Sequence, residues 1–191
     1  MLNLAPRIIA GLGNPGASYA NTRHNAGFMV IEDLARRAGA GRWIVEGPAQ
    51  VCRAEIEGQP AILAEPLTFV NASGPAISFL LAKYEVTPQD LLLISDDFNL
   101  PFGRIRIREQ GTAGGHNGLE SIFQSLGTEE ISRLRLGVGE EEMPEDKAQF
   151  VLADFPPDRK RDLEGMVIKA GDAVRFILRE GVSKAMSVYN A

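Results

Sequence analysis

The chain has one cysteine, two histidines and one tryptophan in 191 residues. A single thiol, Cys52, cannot form an internal disulfide and supplies no cysteine metal cluster. No apolar run reaches the length of about 18 residues that a membrane-spanning helix needs. The start, MLNLAPRIIAG, has one basic residue and too short an apolar run for a signal peptide. Excess positive charge is also missing: the net charge is −5 and the sequence pI near 5.2. A generic nucleic-acid binder usually has a basic surface, so any contact with phosphates has to come from a local patch. There is no internal repeat and no low-complexity segment. Hydrophobic content of 45% and charged content of 24% are ordinary globular values. These features lead us to expect a reduced, cytoplasmic, metal-free protein folded as one domain over residues 1–191.

What is present centres on Gly11 to Phe28. A short apolar run, Arg7 to Ala10, reads as a strand and leads into polar, turn-forming residues. Such a stretch between a strand and a helix marks a site at the strand's C-terminal end. Gly11-x-Gly13-x-x-Gly16 fits the dinucleotide fingerprint in its letters. That fingerprint requires a helix to open at its second or third glycine. Here Ala17 to Asn25 carries no apolar stripe, and the helical period starts only near Ala26.

The first helix is expected from Asn25 to Ala38, with Asn21 or Thr22 as its cap and Gly39 as its stop. Residues 43–65 read as a hairpin turning at Glu57 to Pro60. A polar loop, Pro66 to Gly74, precedes a helix from Pro75 to Tyr84, with Ser73 a candidate cap. Leu91 to Ile94 reads as a central buried strand ending in Ser95-Asp96-Asp97. Arg104 to Arg108 and Arg133 to Val138 alternate as strands with arginines on one face. A second glycine-rich loop, Gly111 to Gly118, opens a helix from Leu119 to Leu126. The segment Glu140 to Asp146 reads as an acidic, mobile surface loop, and a long helix after Pro157 closes at Gly181. Strands alternating with helices, plus one hairpin, predict an α/β fold: a three-layer α/β/α sandwich around a mixed, twisted sheet.

Four loops gather the residues with chemistry: Asn14, His24 and Asn25; Asn71; Asp96 and Asp97; His116 and Asn117. None contains a strong nucleophile, and neither Ser73 nor Ser95 sits in a G-x-S-x-G elbow. His24 reads as a general base, its neutral form favoured by a helix's first turn, or as a capping histidine. Either Asp96 or Asp97 suits the partner that orients the imidazole, and either suits a turn. Asn14, Asn71 and Asn117 are possible donors to a carbonyl or oxyanion, or plain turn residues. His116 reads as structural. The arginine faces read as a phosphate-holding patch or as a solvated sheet face.

Three motifs together resemble bacterial peptidyl-tRNA hydrolase over nearly the whole chain. The first is Gly11-Leu12-Gly13-Asn14-Pro15-Gly16 leading into Tyr19-x-x-Thr22-Arg23-His24-Asn25-x-Gly27. The second is Pro66-x-Thr68-Phe69-x-Asn71-x-Ser73-Gly74. The third is Gly114-Gly115-His116-Asn117-Gly118-Leu119, preceded by Asp96 and Leu100-Pro101-x-Gly103. The resemblance implies a monomeric enzyme, without cofactor or metal, that hydrolyses the ester between a peptide and the 3′ ribose of tRNA. By that likeness His24 activates water and Asp96 supports it, while Asn14 discriminates blocked from free amino ends. Tyr19, Phe69, Asn71 and Asn117 line the substrate site, and Arg106, Arg108 and Arg135 hold tRNA phosphate. A non-enzymatic RNA-binding relative of the same fold is the alternative. The chain departs from the family pattern at Glu65, Val70, Ser95 and Asn99.

Overall fold

In the computed structural model, residues 6–190 are described; residues 1–5 and 191 of the expected domain lie outside them. The sheet is built from segments whose side chains alternate between two apolar faces, as the strand period of two requires. In β1 (Arg7–Gly11), Ile9 enters one core while Ile8 and Ala10 enter the other. In β5 (Leu91–Pro101), Leu92 and Ile94 join Ile9, whereas Leu91 and Leu93 join Ile8. Burial on both faces explains why these strands read as unbroken apolar runs.

Seven strands pair in the order β2-β3-β4-β1-β5-β7-β6, where β2 is Ile44–Glu46, β3 Ala49–Ile56, β4 Gln59–Pro66, β6 Ile105–Arg108 and β7 Ser132–Gly139. The four central strands β4, β1, β5 and β7 are parallel; β3 and β6 run against them, and edge strand β2, antiparallel to β3, points the same way as the central set. The expected hairpin is present as β3–β4. Its two-residue turn, Glu57-Gly58, has both φ angles positive, as a primed turn demands.

Helices α1 (Ala26–Arg37), α5 (Lys160–Glu180) and α6 (Val182–Tyr189) cover one face through Val30, Ile31, Leu34, Ala170, Val174 and Ala185. Helices α2 (Ser73–Tyr84) and α3 (Asn117–Leu126) cover the other through Ile77, Leu80, Leu119 and Ile122. The molecule is thus the expected three-layer α/β/α sandwich around a mixed sheet. From neighbouring strands, β1 sends the chain to α1 on one face and β4 sends it to α2 on the other. The crevice at the carboxyl ends of such strands is where ligands gather in α/β sheets.

Three boundaries differ from expectation. Ser73 does not cap α2: its hydroxyl donates to the Val70 carbonyl, and Ala72 holds the cap position. β5 does not end in Ser95-Asp96-Asp97 but continues to Pro101, because β7 pairs alongside it through Asp97 and again at Pro101. A further helix, α4 (Lys147–Leu152), follows the acidic segment, and Asp146 caps it by accepting from the Gln149 N–H.

Candidate active site

The crevice is set by how closely α1 can approach the sheet. A Cβ on Gly27 would lie 2.4 Å from the Ile94 carbonyl oxygen and 2.6 Å from the Leu12 nitrogen, so only glycine permits this contact. Gly11 answers from the other side, where an added Cβ would meet the Gly27 oxygen at 2.4 Å. Of these two, Gly11 belongs to the fingerprint and serves backbone packing, and α1 begins ten residues after Gly16. A 3₁₀ turn, Arg23–Asn25, precedes α1 and carries His24. His24 therefore lies just before the helix rather than in its first turn. Neither Asn21 nor Thr22 caps α1; Asn25 holds that position without a side-chain cap bond.

His24 Nδ1 is 2.7 Å from Asp96 Oδ1, closing a gap of 72 positions. Both residues are buried. Burial opposes charge on the imidazole, but the Asp96 carboxylate and its hydrogen bond outweigh this and raise the His24 pKa above its ordinary value. That reverses the expectation that a helix dipole holds His24 neutral. Burial alone would raise the Asp96 pKa, yet the charges and N–H groups of His24 and His116 hold it well below the usual carboxylate range.

His116 is the residue whose part the sequence does not reveal. Its Nδ1 accepts from the backbone N–H groups of Gly118 and Leu119, capping α3, at 3.1 and 3.2 Å. Accepting there places its proton on Nε2, which donates to the same Asp96 Oδ1 at 3.0 Å. With Asp96 also receiving the His24 Nδ1–H, the neutral His24 tautomer has its Nε2 lone pair free for chemistry. Among the described residues, His24, Asp96 and His116 are the one group with the composition of a metal site. Their bonds already engage these atoms as a proton-holding network.

A cavity of about 230 Å³ opens over this network, lined by His24, Asp96, Asn117, Arg135, Lys147 and Val151 among others. Helix α4 forms one wall of it. Arg23 fastens that wall: its guanidinium donates to the carbonyls of Ala153 at 3.2 Å and Asp154 at 2.9 Å, and lies over the Phe150 ring. The Arg23 backbone N–H also donates to Ala153. Asp97 is settled differently from Asp96, forming an ion pair with Arg135 and accepting from the Asn99 N–H. Asn99 in turn donates to the Gly114 carbonyl, tying β5 to the glycine-rich loop.

Asn14 stands apart from the cavity-lining residues, in a neighbouring hollow. The Asn25 carboxamide grips its backbone in both directions, accepting from the Asn14 N–H and donating to the Asn14 carbonyl, each at 2.9 Å. Asn14 Oδ1 accepts from the Val70 N–H at 2.8 Å, so its amide N–H₂ points away from that bond and stays available. The bond uses the backbone of Val70, which makes the departure at this side chain irrelevant to it. Tyr19 and Phe69 meet edge to face, with centroids 6.2 Å apart, and Phe69 and Asn71 are exposed.

The arginines fall on one face of the outer sheet. Arg106 is opposite Arg135 and Arg108 opposite Arg133, while Ile105, Ile107, Leu134 and Leu136 point into the core. Directly opposed residues in an antiparallel pair share a side. Arg133 drops out of any surface patch: it is 1% exposed and spends its guanidinium on the carbonyls of Gly111, Thr112, Glu129 and Ile131. Arg106, Arg108 and Arg135 remain at least partly accessible.

Residues 8–191 match the family model described as Peptidyl-tRNA hydrolase. A curated peptidyl-tRNA hydrolase of Chloroflexus aurantiacus is 45% identical over 184 residues, covering 96% of this chain and 98% of that protein. One from Brevibacillus brevis is 40% identical, covering 97% and 98%. The crystal structure of peptidyl-tRNA hydrolase from Acinetobacter baumannii superposes with a TM-score of 0.89 at 33% identity, covering 98% of this chain and 95% of that one. Agreement of this extent, on a fold whose crevice joins all three sequence motifs, leaves one assignment: the chain belongs to the peptidyl-tRNA hydrolase family.

Proposed function

We propose that this chain hydrolyses the ester joining a peptide to the 3′ ribose of tRNA, with His24 as general base. The observation that carries this reading is the 2.7 Å His24–Asp96 bond, which leaves His24 Nε2 as the free nitrogen above the cavity. His24 Nε2 takes a proton from water, and the hydroxide adds to the ester carbonyl. The tetrahedral intermediate then collapses, breaking the bond to the ribose oxygen, which takes the proton back from Nε2. Asp96 stabilises the imidazolium in between. General-base action of this kind contributes about 10²–10⁴-fold.

Asn117 and the free amide of Asn14 suit donation to the substrate's carbonyl oxygens. Asn14 also suits discrimination, because a free ammonium beside an amide N–H₂ finds a donor where it needs an acceptor. The half-buried Tyr19 and exposed Phe69, packed edge to face, and the exposed Asn71 suit the peptidyl part, and Arg106, Arg108 and Arg135 suit tRNA phosphate. We read residues 1–191 as one domain, since the sheet draws strands from Arg7 to Gly139 and the C-terminal helices pack back onto it. We also read the enzyme as a cytoplasmic monomer; among the described residues no helix is long and apolar enough to cross a membrane.

The test is release of the acyl group from N-acetyl-aminoacyl-tRNA compared with free aminoacyl-tRNA. Wild-type protein should cleave the blocked substrate selectively, and His24→Ala should lose at least about 10²-fold in kcat/KM with the fold intact. Retained activity in that variant would overturn the mechanism.

A further inference from the structure

A second hollow of about 350 Å³ lies beside Asn14, and the proton network does not use it. It contains Glu65, which is 1% exposed. Gln50 Nε2 donates to one Glu65 oxygen, Oε2, at 2.5 Å, while the other, Oε1, is buried with no hydrogen-bond partner. An unpartnered buried carboxylate oxygen is costly, and it is retained where something else satisfies it. Glu32, on α1, lines the same hollow from an exposed position. Gln50 spends its N–H₂ on Glu65, which leaves its carbonyl oxygen as a further acceptor. Among the described residues, no lysine, arginine or histidine lines the hollow. Glu65, Glu32 and the Gln50 oxygen therefore offer acceptors and negative charge, the Asn14 amide N–H₂ is a donor in the same lining, and the walls include Phe28, Met29 and Leu67.

We propose that this hollow is a cation subsite that takes the aliphatic ammonium side chain of a lysine in the substrate's peptide. The three apolar side chains suit the methylene stem, and the carboxylates and the Gln50 oxygen suit the three N–H donors of the head. Two carboxylates without a third ligand fall short of a metal set; among the described residues a grouping of three occurs only at His24, Asp96 and His116. The peptide as source rests on the peptidyl-ester reading above, because Asn14 borders the hollow.

The charge state agrees with the geometry. Burial pushes the Glu65 carboxyl up to about 7, with the Gln50 N–H opposing and the Glu32 charge adding. Among the described residues, Glu32 is the only other titratable group in the lining. A cation should therefore bind more tightly as pH rises from about 6 to 8, while a lysine side chain stays charged throughout.

The experiment titrates N-acetyl-lysine amide and N-acetyl-norleucine amide into the full-length protein, followed by NMR shifts of residues around Asn14. The lysine probe should bind about tenfold more tightly, the effect of one charge-assisted hydrogen-bond set. The preference should grow with pH and fall towards unity in Glu65→Gln. Glu32→Gln, at an exposed position where folding is not at stake, should reduce it as well. Equal binding of the two probes, or a preference that survives Glu65→Gln, would overturn the subsite. Norleucine amide with a free amino group binding as well as the lysine probe would assign the hollow to an α-ammonium and overturn the side-chain assignment. Turnover of N-acetyl-aminoacyl-tRNA is measured separately, so its loss would strike the hydrolase reading and leave the probe result standing.

Discussion

A single oxygen, Asp96 Oδ1, accepts from two imidazoles, and that sharing divides their labour. His116 is committed at both nitrogens, to α3 on one side and to Asp96 on the other. His24 is committed at one. The free nitrogen therefore belongs to the histidine whose pKa its carboxylate partner raises. Because the base must be unprotonated, the sign follows directly. A raised pKa moves the acidic limb of kcat/KM upward, so the inflection should lie above the ordinary imidazole value of about 6.5. In Asp96→Asn the opposing effect of burial is left without its counterweight. The inflection should then move down, and the plateau should fall by about 10²–10⁴-fold. Initial rates on N-acetyl-aminoacyl-tRNA from pH 5 to 9 give both numbers. An unshifted inflection would mean that Asp96 does not set the His24 proton affinity.

Helix α4 shows how an element can lie outside what local sequence reveals. Its six residues, Lys147 to Leu152, are too few for an apolar period to emerge and follow a run of acids and Pro144. Its position is imposed from afar, by Arg23 donating to carbonyls at Ala153 and Asp154 and by the bridge between Thr22 and Asp154. The same holds for β5, which outlasts its apolar run because β7 supplies a ladder through Asp97. Arg133 alternates like a surface residue yet is buried, because four backbone carbonyls converge on it. By contrast, the apolar runs, the hairpin and the motif-bearing loops were legible, since propensity, turn chemistry and burial agree there. The meeting of His24 with Asp96 was legible through their motifs; the sharing of Asp96 by His116 was not, because it exists only in three dimensions. Arg23 also yields a prediction at this scale. Arg23→Met keeps the aliphatic bulk but removes the donors that hold α4. Losing charge-assisted bonds costs about 1.5–3 kcal/mol, so amide protection across residues 147–154 should fall by roughly 10–100-fold. Hydrogen exchange reads this directly, and unchanged protection would show that packing alone holds the wall.

Over the whole molecule, charge must be weighed by place rather than by sum. The chain carries −5 overall, and five of its acids fall between Glu140 and Asp146. A polyanion approaching from a distance meets net repulsion, which is screened within about 8–10 Å at ordinary ionic strength. On the reading proposed above, contact is made at the β6–β7 face, where Arg106, Arg108 and Arg135 stand on adjacent strands. Arg135 arrives paired with Asp97, so engaging a phosphate with it means exchanging or sharing that partner. Arg108 is exposed and enters no ion pair among the described residues, which makes it the cleanest probe of the face. Each phosphate neutralised releases condensed counterions, so log K for tRNA should fall linearly with log salt. Arg108→Ala should weaken binding and reduce that slope by roughly 1. Its removal breaks no buried network, so stability should stay within about 0.5 kcal/mol, the usual range for surface substitutions. Filter binding or anisotropy with deacylated tRNA between low and moderate salt supplies the slope. If wild type and variant give parallel lines, the arginines form a solvated sheet face and the tRNA is held elsewhere.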